Sequence, residues 1–361
     1  MSSSLIVVTG GGTGGHVFPA LAISKELRKR GFEIFYIGSD RGMEAKLAPL
    51  HDIPFRAIRS GAIKNQNPIQ IARSLLRVAW ATLWSLSFLF RKKPAAVIGV
   101  GGYVSVPVCC AAYVMGIPIF IQEQNTSVGI ANRFLGKLAK RIFLGFEQAK
   151  YFFPLERTLI TGNPLREEIG NHPFPTIDAN HPNLLILGGS QGAHAINRAV
   201  LTSLPTLRKN FPKLEILHQT GTRDLDEARK AYEPHYPNAK IVPFIEDMAG
   251  AYRDATLVVS RSGALTVSEL IWVGRPAVLV PYPRRGQNDQ TDNAKYLANS
   301  GAAVIVEEGV DFGDRFRKAL CSALDSHLSE MASSYSKLRT PGALVSIAAR
   351  IEQDLSNRKN T

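Results

Sequence analysis

The strongest constraint on the fold is a glycine-dense segment that occurs twice. Residues 5–9 (LIVVT) are a short apolar run, residues 10–15 hold five glycines around Thr13, and residues 20–30 place Leu21, Ile23 and Leu27 at helical spacing before Gly31. A strand, a glycine turn and a helix in this order form the first unit of a parallel sheet with helical crossovers. The pattern restarts with NLLIL at 183–187, a glycine loop at 188–192 and a helical segment at 193–204. GGTGGHVFPALA at 11–22 is echoed by GGSQGAHAINRA at 188–199. GGYVSVPVCCAAYVMGIP at 101–118 is echoed more loosely by RSGALTVSELIWVGRP at 261–276. Apolar runs at 33–37, 96–100, 117–121 and 142–144, then at 215–219, 240–243, 257–260, 277–280 and 303–306, supply the other strands. The repetition predicts two similar Rossmann-like α/β domains in tandem, with the cleft between them as the default site. The boundaries are read as 1–162 and 163–340, because proline and glycine cluster near 162–175. A last helix near 341–355 is expected to pack back on the first domain, with a loose polar tail at 356–361.

A chain of 361 residues is comfortable for two cores. Its three cysteines show no metal-ligand spacing and two of them, Cys109 and Cys110, are adjacent, which reads as a reduced, intracellular protein. The N-terminus has neither a basic leader region nor a cleavage site. Charge is one-sided. Residues 1–162 carry 20 Lys/Arg against 8 Asp/Glu, whereas residues 163–361 are nearly balanced at 23 against 22. An anionic partner is expected for the first half, and charge alone admits nucleic acid or a lipid surface.

Glycine turns that open onto helix N-termini bring backbone N–H groups close to phosphate oxygens. Three such turns occur, at 10–15, 188–192 and 261–264. Gly10, Gly12 and Gly15 satisfy a dinucleotide fingerprint, with Asp40 placed as a ribose ligand would be, but no phosphate-loop lysine motif is present. The second domain suits a nucleoside diphosphate better. His16 stands at the mouth of the first loop, where a neutral imidazole would accept a hydroxyl proton or bind phosphate, or simply cap the helix. Glu269 follows the third turn on its helix and would receive ribose hydroxyls, or else be an ordinary exposed helical glutamate. Thr266 would cap the helix or contact phosphate. Two polar clusters, at 123–125 and 287–290, follow apolar strands at the edge where ligands bind.

Residues 78–90 contain no charge over thirteen positions, too few to cross a bilayer, which takes about 20. Arg73, Arg77, Arg91, Lys92 and Lys93 flank the stretch, and Trp80, Trp84, Phe88 and Phe90 lie within it. The aromatic residues read as anchors, and the segment as an interfacial membrane contact, as a buried crossover helix, or as both, with one face in the core and one end exposed.

Eight segments in order carry a family resemblance: GGTGGHVFPALA at 11–22, GGYVSVP at 101–107, EQN at 123–125, GNPLR at 162–166, GGSQGA at 188–193, FIEDM at 244–248, SRSGALTVSE at 260–269 and QTDNA at 290–294. Over nearly its whole length the chain resembles the MurG family of bacterial transferases, in glycosyltransferase family 28. The resemblance implies a GT-B fold with an interdomain cleft. It also implies inverting transfer of GlcNAc from UDP-GlcNAc to the C4 hydroxyl of MurNAc in lipid I (undecaprenyl-diphospho-MurNAc-pentapeptide), giving lipid II. No cofactor or structural metal is implied, and no nucleic-acid partner. The setting would be the cytoplasmic face of the bacterial inner membrane, as a peripheral protein of peptidoglycan synthesis, hence of cell shape and division. Residues 1–162 would take the acceptor and the anionic membrane surface, and 163–340 the donor. By the same resemblance, the backbone at Ile245 would read uracil and Glu269 would hold ribose. Ser190, Arg166, Ala264, Leu265 and Thr266 would surround the donor diphosphate, with Val267 and Ser268 also among the substrate-binding residues. Asn125 and Gln290 would touch the sugar. Thr13, Gly14 and Gly15 would line the junction of donor and acceptor, and His16 and Tyr103 would be catalytic or acceptor-side. Two positions depart from the family: Gln122 stands where members often have His, and Asp289 where many have His or Gln.

The rival readings are a UDP-sugar 2-epimerase of similar architecture, which needs carboxylates poised for elimination, a dinucleotide oxidoreductase, and a non-enzymatic basic binding protein.

Overall fold

The computed structural model describes residues 4–58, 68–170, 174–178, 181–188, 192–283 and 289–359. The chain forms two compact units: Met1–Arg166 together with Thr340–Thr361, and Glu167–Arg339.

Unit 1 is built on seven strands, β1 (Leu5–Thr9), β2 (Glu33–Gly38), β3 (Phe55–Ala57), β4 (Ala96–Gly99), β5 (Ile119–Glu123), β6 (Arg141–Leu144) and β7 (Thr158–Ile160), in the order β3-β2-β1-β4-β5-β6-β7. Its pairings are parallel, and Thr9 is level with Ile37 on one side and Gly99 on the other. The turns that leave β1 and β4 therefore rise side by side where the strand order reverses. The helices are α1 (Gly14–Lys29), α2 (Glu44–Leu50), α3 (Pro68–Lys92), α4 (Ser105–Val114) and α5 (Ile130–Gly136), joined by a C-terminal helix over Ala343–Lys359. Alternate strand residues feed two cores. Ile6, Val8, Ile98 and Phe120 pack with α1 and with Ile347 and Ile351, while Val7, Val97, Ile121 and Leu144 pack with Ala81, Leu89 and Val108.

Three sequence expectations change here. The first helix begins at Gly14, not Ala20, and carries Pro19 inside it; a proline this near the start forfeits one backbone bond without ending the helix. The C-terminal helix runs through Lys359 rather than loosening at Ser356, and Arg358 donates to the Gly116 carbonyl at 2.9 Å. On α3, Trp84 and Phe88 face inward. They stack at 5.3 Å, Phe88 meets Phe35 at 4.8 Å, and both join the core beside α4. The exposed apolar stripe is instead Leu76, Trp80 (63% exposed), Leu83 and Phe90 (69%), at the spacing of one helix face. Arg73, Arg77, Arg91, Lys92 and Lys93 are exposed beside it. Among the described residues no helix is long and apolar enough to cross a membrane.

Unit 2 repeats the plan with six strands: β8 (Asn183–Leu187), β9 (Glu215–Gln219), β10 (Lys240–Val242), β11 (Leu257–Ser260), β12 (Ala277–Leu279) and β13 (Ala303–Ile305), in the order β10-β9-β8-β11-β12-β13. Its helices are α6 (Glu167–Gly170), α7 (His194–Asn210), α8 (Leu225–Tyr232), α9 (Met248–Asp254), α10 (Ala264–Val273), α11 (Asp289–Ala298), α12 (Phe312–Ser326) and α13 (Leu328–Ser333), which makes the C-terminal helix α14. The two sequence echoes fall on equivalent places: the turns after β1 and β8, and those after β4 and β11. Arg275, buried, donates to the carbonyls of Tyr252 (2.8 Å), Arg253 (3.0 Å) and Pro175 (2.8 Å), tying α9 to the entry of the unit. Burial, with Arg339 nearby, lowers its pKa to about 10, so it stays charged at neutral pH.

The facing of α3 gives a direct check. Trp84→Ala opens a hole against the core and is expected to cost about 2 kcal/mol or more in urea unfolding. Trp80→Ala should stay within about 0.5 kcal/mol of the parent. Equal losses for both would contradict this placement.

Candidate active site

In unit 1 two glycine turns meet edge to edge. Gly12 has φ +94°, and Gly101 and Gly102 have φ +100° and +82°, values that favour glycine. A Cβ on Gly102 would lie 2.6 Å from the Gly11 carbonyl oxygen, and one on Gly101 would lie 2.8 Å from the His16 ring. The close approach of these backbones thus seats the imidazole against the second turn. Ser105 fastens that turn by donating to Gly101 O (2.7 Å) and Thr9 O (3.2 Å). Tyr36 donates to Gly10 O at 3.1 Å; burial, with the Glu44 charge nearby, pushes its hydroxyl well above the usual range and keeps it a donor.

Thr13 caps α1 with extended backbone but makes no side-chain cap bond, so the first amides of the helix open beside exposed Thr13 and Gly15. His16 Nδ1 lies 3.5 Å from Thr13 Oγ1. Tyr103, 48% exposed, leaves the second turn toward solvent. Arg166 is the last residue of unit 1 before the chain returns at Thr340, and its guanidinium lies 5.9 Å from the Phe18 ring centroid.

Beneath these turns lies a buried polar floor. Glu123 accepts from Asn125 N (2.9 Å), Asn125 Nδ2 (3.2 Å) and Asn132 Nδ2 (2.9 Å). Burial pushes its carboxyl up, and these bonds oppose the shift without cancelling it. Gln122 donates to Asn163 Oδ1 at 2.9 Å, Gln124 donates to Val100 O at 2.9 Å and to the Gln122 amide oxygen, and Asn163 donates to Gln124 O at 2.9 Å. Two acceptors, Gln124 Oε1 and Asn132 Oδ1, are buried without a hydrogen-bond partner. Of the cluster 123–125, only Asn125 reaches the surface.

In unit 2 the turn after β11 opens α10 at Ala264, with Gly263 as an extended cap. Ser262 donates to Gln290 O (2.8 Å) and its own carbonyl accepts from Asn293 (3.2 Å), which ties the turn to α11. Gln290 Oε1 accepts the Tyr282 N–H at 2.9 Å, leaving its amide NH2 to point elsewhere. Arg261 pairs with Glu308 at 2.6 Å. Glu269 is no exposed helical residue: it is 7% exposed and accepts the Tyr252 hydroxyl at 3.0 Å. Leu265 and Thr266 are half-buried at the helix start, whereas Val267 has no exposed surface and Ser268 bonds Ala264 O at 2.9 Å. Ile245 is buried in the loop before α9, and Asp247 caps that helix through Gly250 N (2.8 Å). Ser190, Gln287 and Asn288 lie outside the described residues.

Beside the start of α7 in unit 2 runs a polar chain. Asp224 accepts from Asn197 (2.7 Å) and faces His194 Nδ1 (3.0 Å). Burial pushes its carboxyl up, but the bonds to Asn197 and His194 outweigh burial and hold it below the usual range. Asn197 Oδ1 meets His218 Nε2 at 3.1 Å, and His218 Nδ1 meets the Tyr232 hydroxyl at 3.0 Å. Burial drops the His218 pKa to about 3, partly countered by Asp224.

Residues 6–144 match the glycosyltransferase family 28 N-terminal domain, and residues 183–340 match the family's C-terminal domain. A UDP-N-acetylglucosamine--N-acetylmuramyl-(pentapeptide) pyrophosphoryl-undecaprenol N-acetylglucosamine transferase of Geobacter metallireducens is 40% identical over 87% of this chain and 88% of its own length. The chain belongs to glycosyltransferase family 28. Its structure superposes on the crystal structure of MurG from Acinetobacter baumannii with a TM-score of 0.80, at 32% identity, over 97% of this chain and 99% of that one. A UDP-GlcNAc 2-epimerase from Neisseria meningitidis bound to UDP-GlcNAc gives a TM-score of 0.61 at 16% identity, over 97% and 99% of the two chains, and so shares the fold alone. The two Rossmann-like units are those of a GT-B glycosyltransferase.

Within this family framework the sequence reading gathered Thr13, Gly14, Gly15, His16, Tyr103 and Asn125 around the unit 1 turns. Ala264, Leu265, Thr266, Glu269 and Gln290 gather around the unit 2 turn. It missed Glu44, Asn132, Asn163, Asn197 and Tyr252, which act from beneath and carry no local motif. The Asn-Pro step at 163–164 after Gly162 was the one available signal for Asn163.

The buried His218 sets a pH dependence. Its folded pKa is depressed from the ordinary 6.5 to about 3, so below pH 6.5 the unfolded chain takes up a proton that the folded one refuses. Stability is complete above that value and falls as pH drops, by about 1.4 kcal/mol per pH unit. Urea unfolding should show unit 2 about 2 kcal/mol weaker at pH 5 than at pH 7 from this group. His218→Gln should flatten that slope; an unchanged slope would refute the assignment.

Proposed function

We propose that the protein transfers N-acetylglucosamine from UDP-GlcNAc to the C4 hydroxyl of the N-acetylmuramyl group of an undecaprenyl-diphosphate-linked pentapeptide. The carrying observation is the pairing of two kinds of site on one chain of this family. Unit 2 offers a carboxylate behind a helix N-terminus, which suits a nucleotide. Unit 1 offers a glycine loop with a half-buried histidine at its mouth in a strongly basic half, which suits a second anionic substrate.

On the donor side the amides at the start of α10 receive the diphosphate, beside Thr266 and, from the turn after β8, Ser190. Glu269, held by Tyr252, receives the ribose hydroxyls, and the backbone at Ile245 reads uracil. Gln290 and Asn125 address the sugar. On the acceptor side the amides of Gly14 and Gly15 take diphosphate oxygens. His16 accepts the proton of the attacking hydroxyl, and Tyr103 lines the acceptor. Inversion follows from direct displacement at the anomeric carbon, with uridine diphosphate leaving against the helix amides. Glu123 holds Asn125 and Asn132 rather than taking the proton, since it is buried and fully engaged. The epimerase alternative rests on a shared fold alone.

The exposed stripe on α3 and its basic flank bind an anionic membrane surface reversibly, placing the protein at the cytoplasmic face where a lipid-linked acceptor presents its sugar. Each basic residue near such a surface adds about 1 kcal/mol of attraction, screened by salt.

Incubation with UDP-GlcNAc and the lipid-linked MurNAc-pentapeptide, read by mass spectrometry, should yield the disaccharide product; no mass gain of one GlcNAc would reject the reading. Glu269→Ala should weaken UDP-GlcNAc binding in calorimetry by about 1.5–3 kcal/mol, whereas His16→Ala should bind donor normally and lose turnover. Unchanged donor affinity in the first variant would remove Glu269 from the site. In liposome co-sedimentation, replacing Trp80, Leu83 and Phe90 with Ala should release the protein from anionic vesicles and leave soluble-donor binding intact. Parent-like pelleting would place the membrane face elsewhere.

A further inference from the structure

Glu44, the first residue of α2, has no exposed surface. Its carboxylate accepts three hydrogen bonds: from Ser39 N at 2.8 Å, Ser39 Oγ at 2.7 Å and Gly12 N at 3.3 Å. The surrounding backbone leaves room for it at three glycines. A Cβ on Gly11 would fall 1.9 Å from Oε1, one on Gly42 would fall 2.0 Å from Oε2, and one on Gly38 would fall 2.4 Å from Cγ. A wholly buried carboxylate within a glycine cage, bonded by neutral groups, is costly unless its oxygens are well satisfied. Its position explains why the cost is met.

The bond to Gly12 lies within the very loop that opens α1. In a trans peptide the N–H of one residue and the carbonyl of the residue before point in opposite directions. With Gly12 N–H aimed at Glu44, the Gly11 carbonyl is aimed at the second turn, where Gly102 approaches it so closely that no side chain fits. One peptide plane therefore has its N–H bonded to Glu44 and its carbonyl packed against the Gly102 backbone. A peptide between two glycines otherwise flips easily, since neither residue resists the change of φ and ψ. A carboxylate accepts only; it attracts the N–H and repels the carbonyl, so it selects one of the two orientations. Thr13, Gly14 and Gly15 follow within three residues of that plane.

We propose that Glu44 is a positioning residue that locks the Gly11–Gly12 peptide in one orientation, and thereby aims the amides of Gly14 and Gly15 and the seat of Tyr103 at the acceptor diphosphate. The role in turnover rests on the acceptor assignment of unit 1 given above, while the lock itself does not.

Glu44→Gln is the discriminating variant, because glutamine fills the same cage but can donate as well as accept and so tolerates either orientation. In glycine-15N-labelled parent protein, hydrogen exchange by NMR should show the Gly12 amide protected about tenfold or more relative to Gly14 and Gly15. The variant should lose that protection while keeping its melting temperature within a few degrees. With UDP-GlcNAc and the lipid-linked MurNAc-pentapeptide diphosphate, kcat/KM for the acceptor should fall by about ten- to a hundredfold. The Kd for UDP should not move. Glu44→Asp, which retains the charge, should recover part of both losses, an outcome that a purely space-filling role would not give. The lock is overturned if Gly12 exchanges as fast as Gly14 in the parent, a result that needs no variant to fold. Its role in positioning is overturned if Glu44→Gln loses the protection and turns over acceptor as the parent does. If the parent itself transfers nothing to this acceptor, the acceptor reading fails, and the Gly12 measurement still decides the lock.

Discussion

Backbone crowding at the ends of the first and fourth strands is the constraint on which unit 1 depends. The Gly11 carbonyl, the Gly101–Gly102 turn and the His16 ring occupy space that any Cβ at these glycines would take. Parallel strands that end level bring the two turns together, and the reversal of strand order opens a gap between the helices that follow. Glycine lets the turns interlock, and interlocking leaves backbone amides, not side chains, as the surface offered to a ligand. In unit 2 the described crowding differs: a Cβ on Gly192 would lie 2.5 Å from the Thr220 carbonyl oxygen, whereas one on Gly263, after β11, would meet only Thr266 Oγ1 at 3.9 Å.

The units also differ in the polar material behind the turns. Unit 1 has a carboxylate floor of Glu44 and Glu123, both engaged by backbone and amide donors. Unit 2 has Tyr252–Glu269 on one side and Asp224–Asn197–His218–Tyr232 on the other. A buried polar group left unmet costs about 1–3 kcal/mol, so networks of this kind hold their members to one geometry. They fix where the half-buried residues His16, Asn125 and Thr266 can stand. The basic excess of residues 1–162 then acts over a longer range, gathering anionic substrate and surface rather than shaping the site.

Much of this was legible in the sequence because glycine and apolar periodicity write themselves locally. The repeat of GGTGGHVFPALA as GGSQGAHAINRA marked equivalent turns, and most strands lie within two residues of their expected bounds. Strands β3 (FRA) and β7 (TLI), each three residues at a sheet edge, escaped notice, whereas the equally short edge strands β10 and β13 were read. The facing of α3 was also hidden. Thirteen consecutive uncharged residues give no polar face to set the phase, so Trp84 and Trp80 could be told apart only once α4 was seen packed against one side. Glu44 reads as a surface glutamate at a helix start, and nothing nearby in the sequence shows that Gly11, Gly38 and Gly42 have made room for it. Buried polar partners come from distant parts of the chain, which is why the amides beneath Asn125 were not foreseen.

The central claim is that the nucleotide belongs to unit 2 and the other anionic substrate to unit 1. Hydrogen exchange measured by mass spectrometry with and without saturating UDP tests it most directly. The account predicts slower exchange in peptides spanning 244–248 and 261–269, with peptides spanning 10–16 and 101–104 unchanged. Protection confined to 10–16 and 101–104, with 261–269 unaffected, would contradict it.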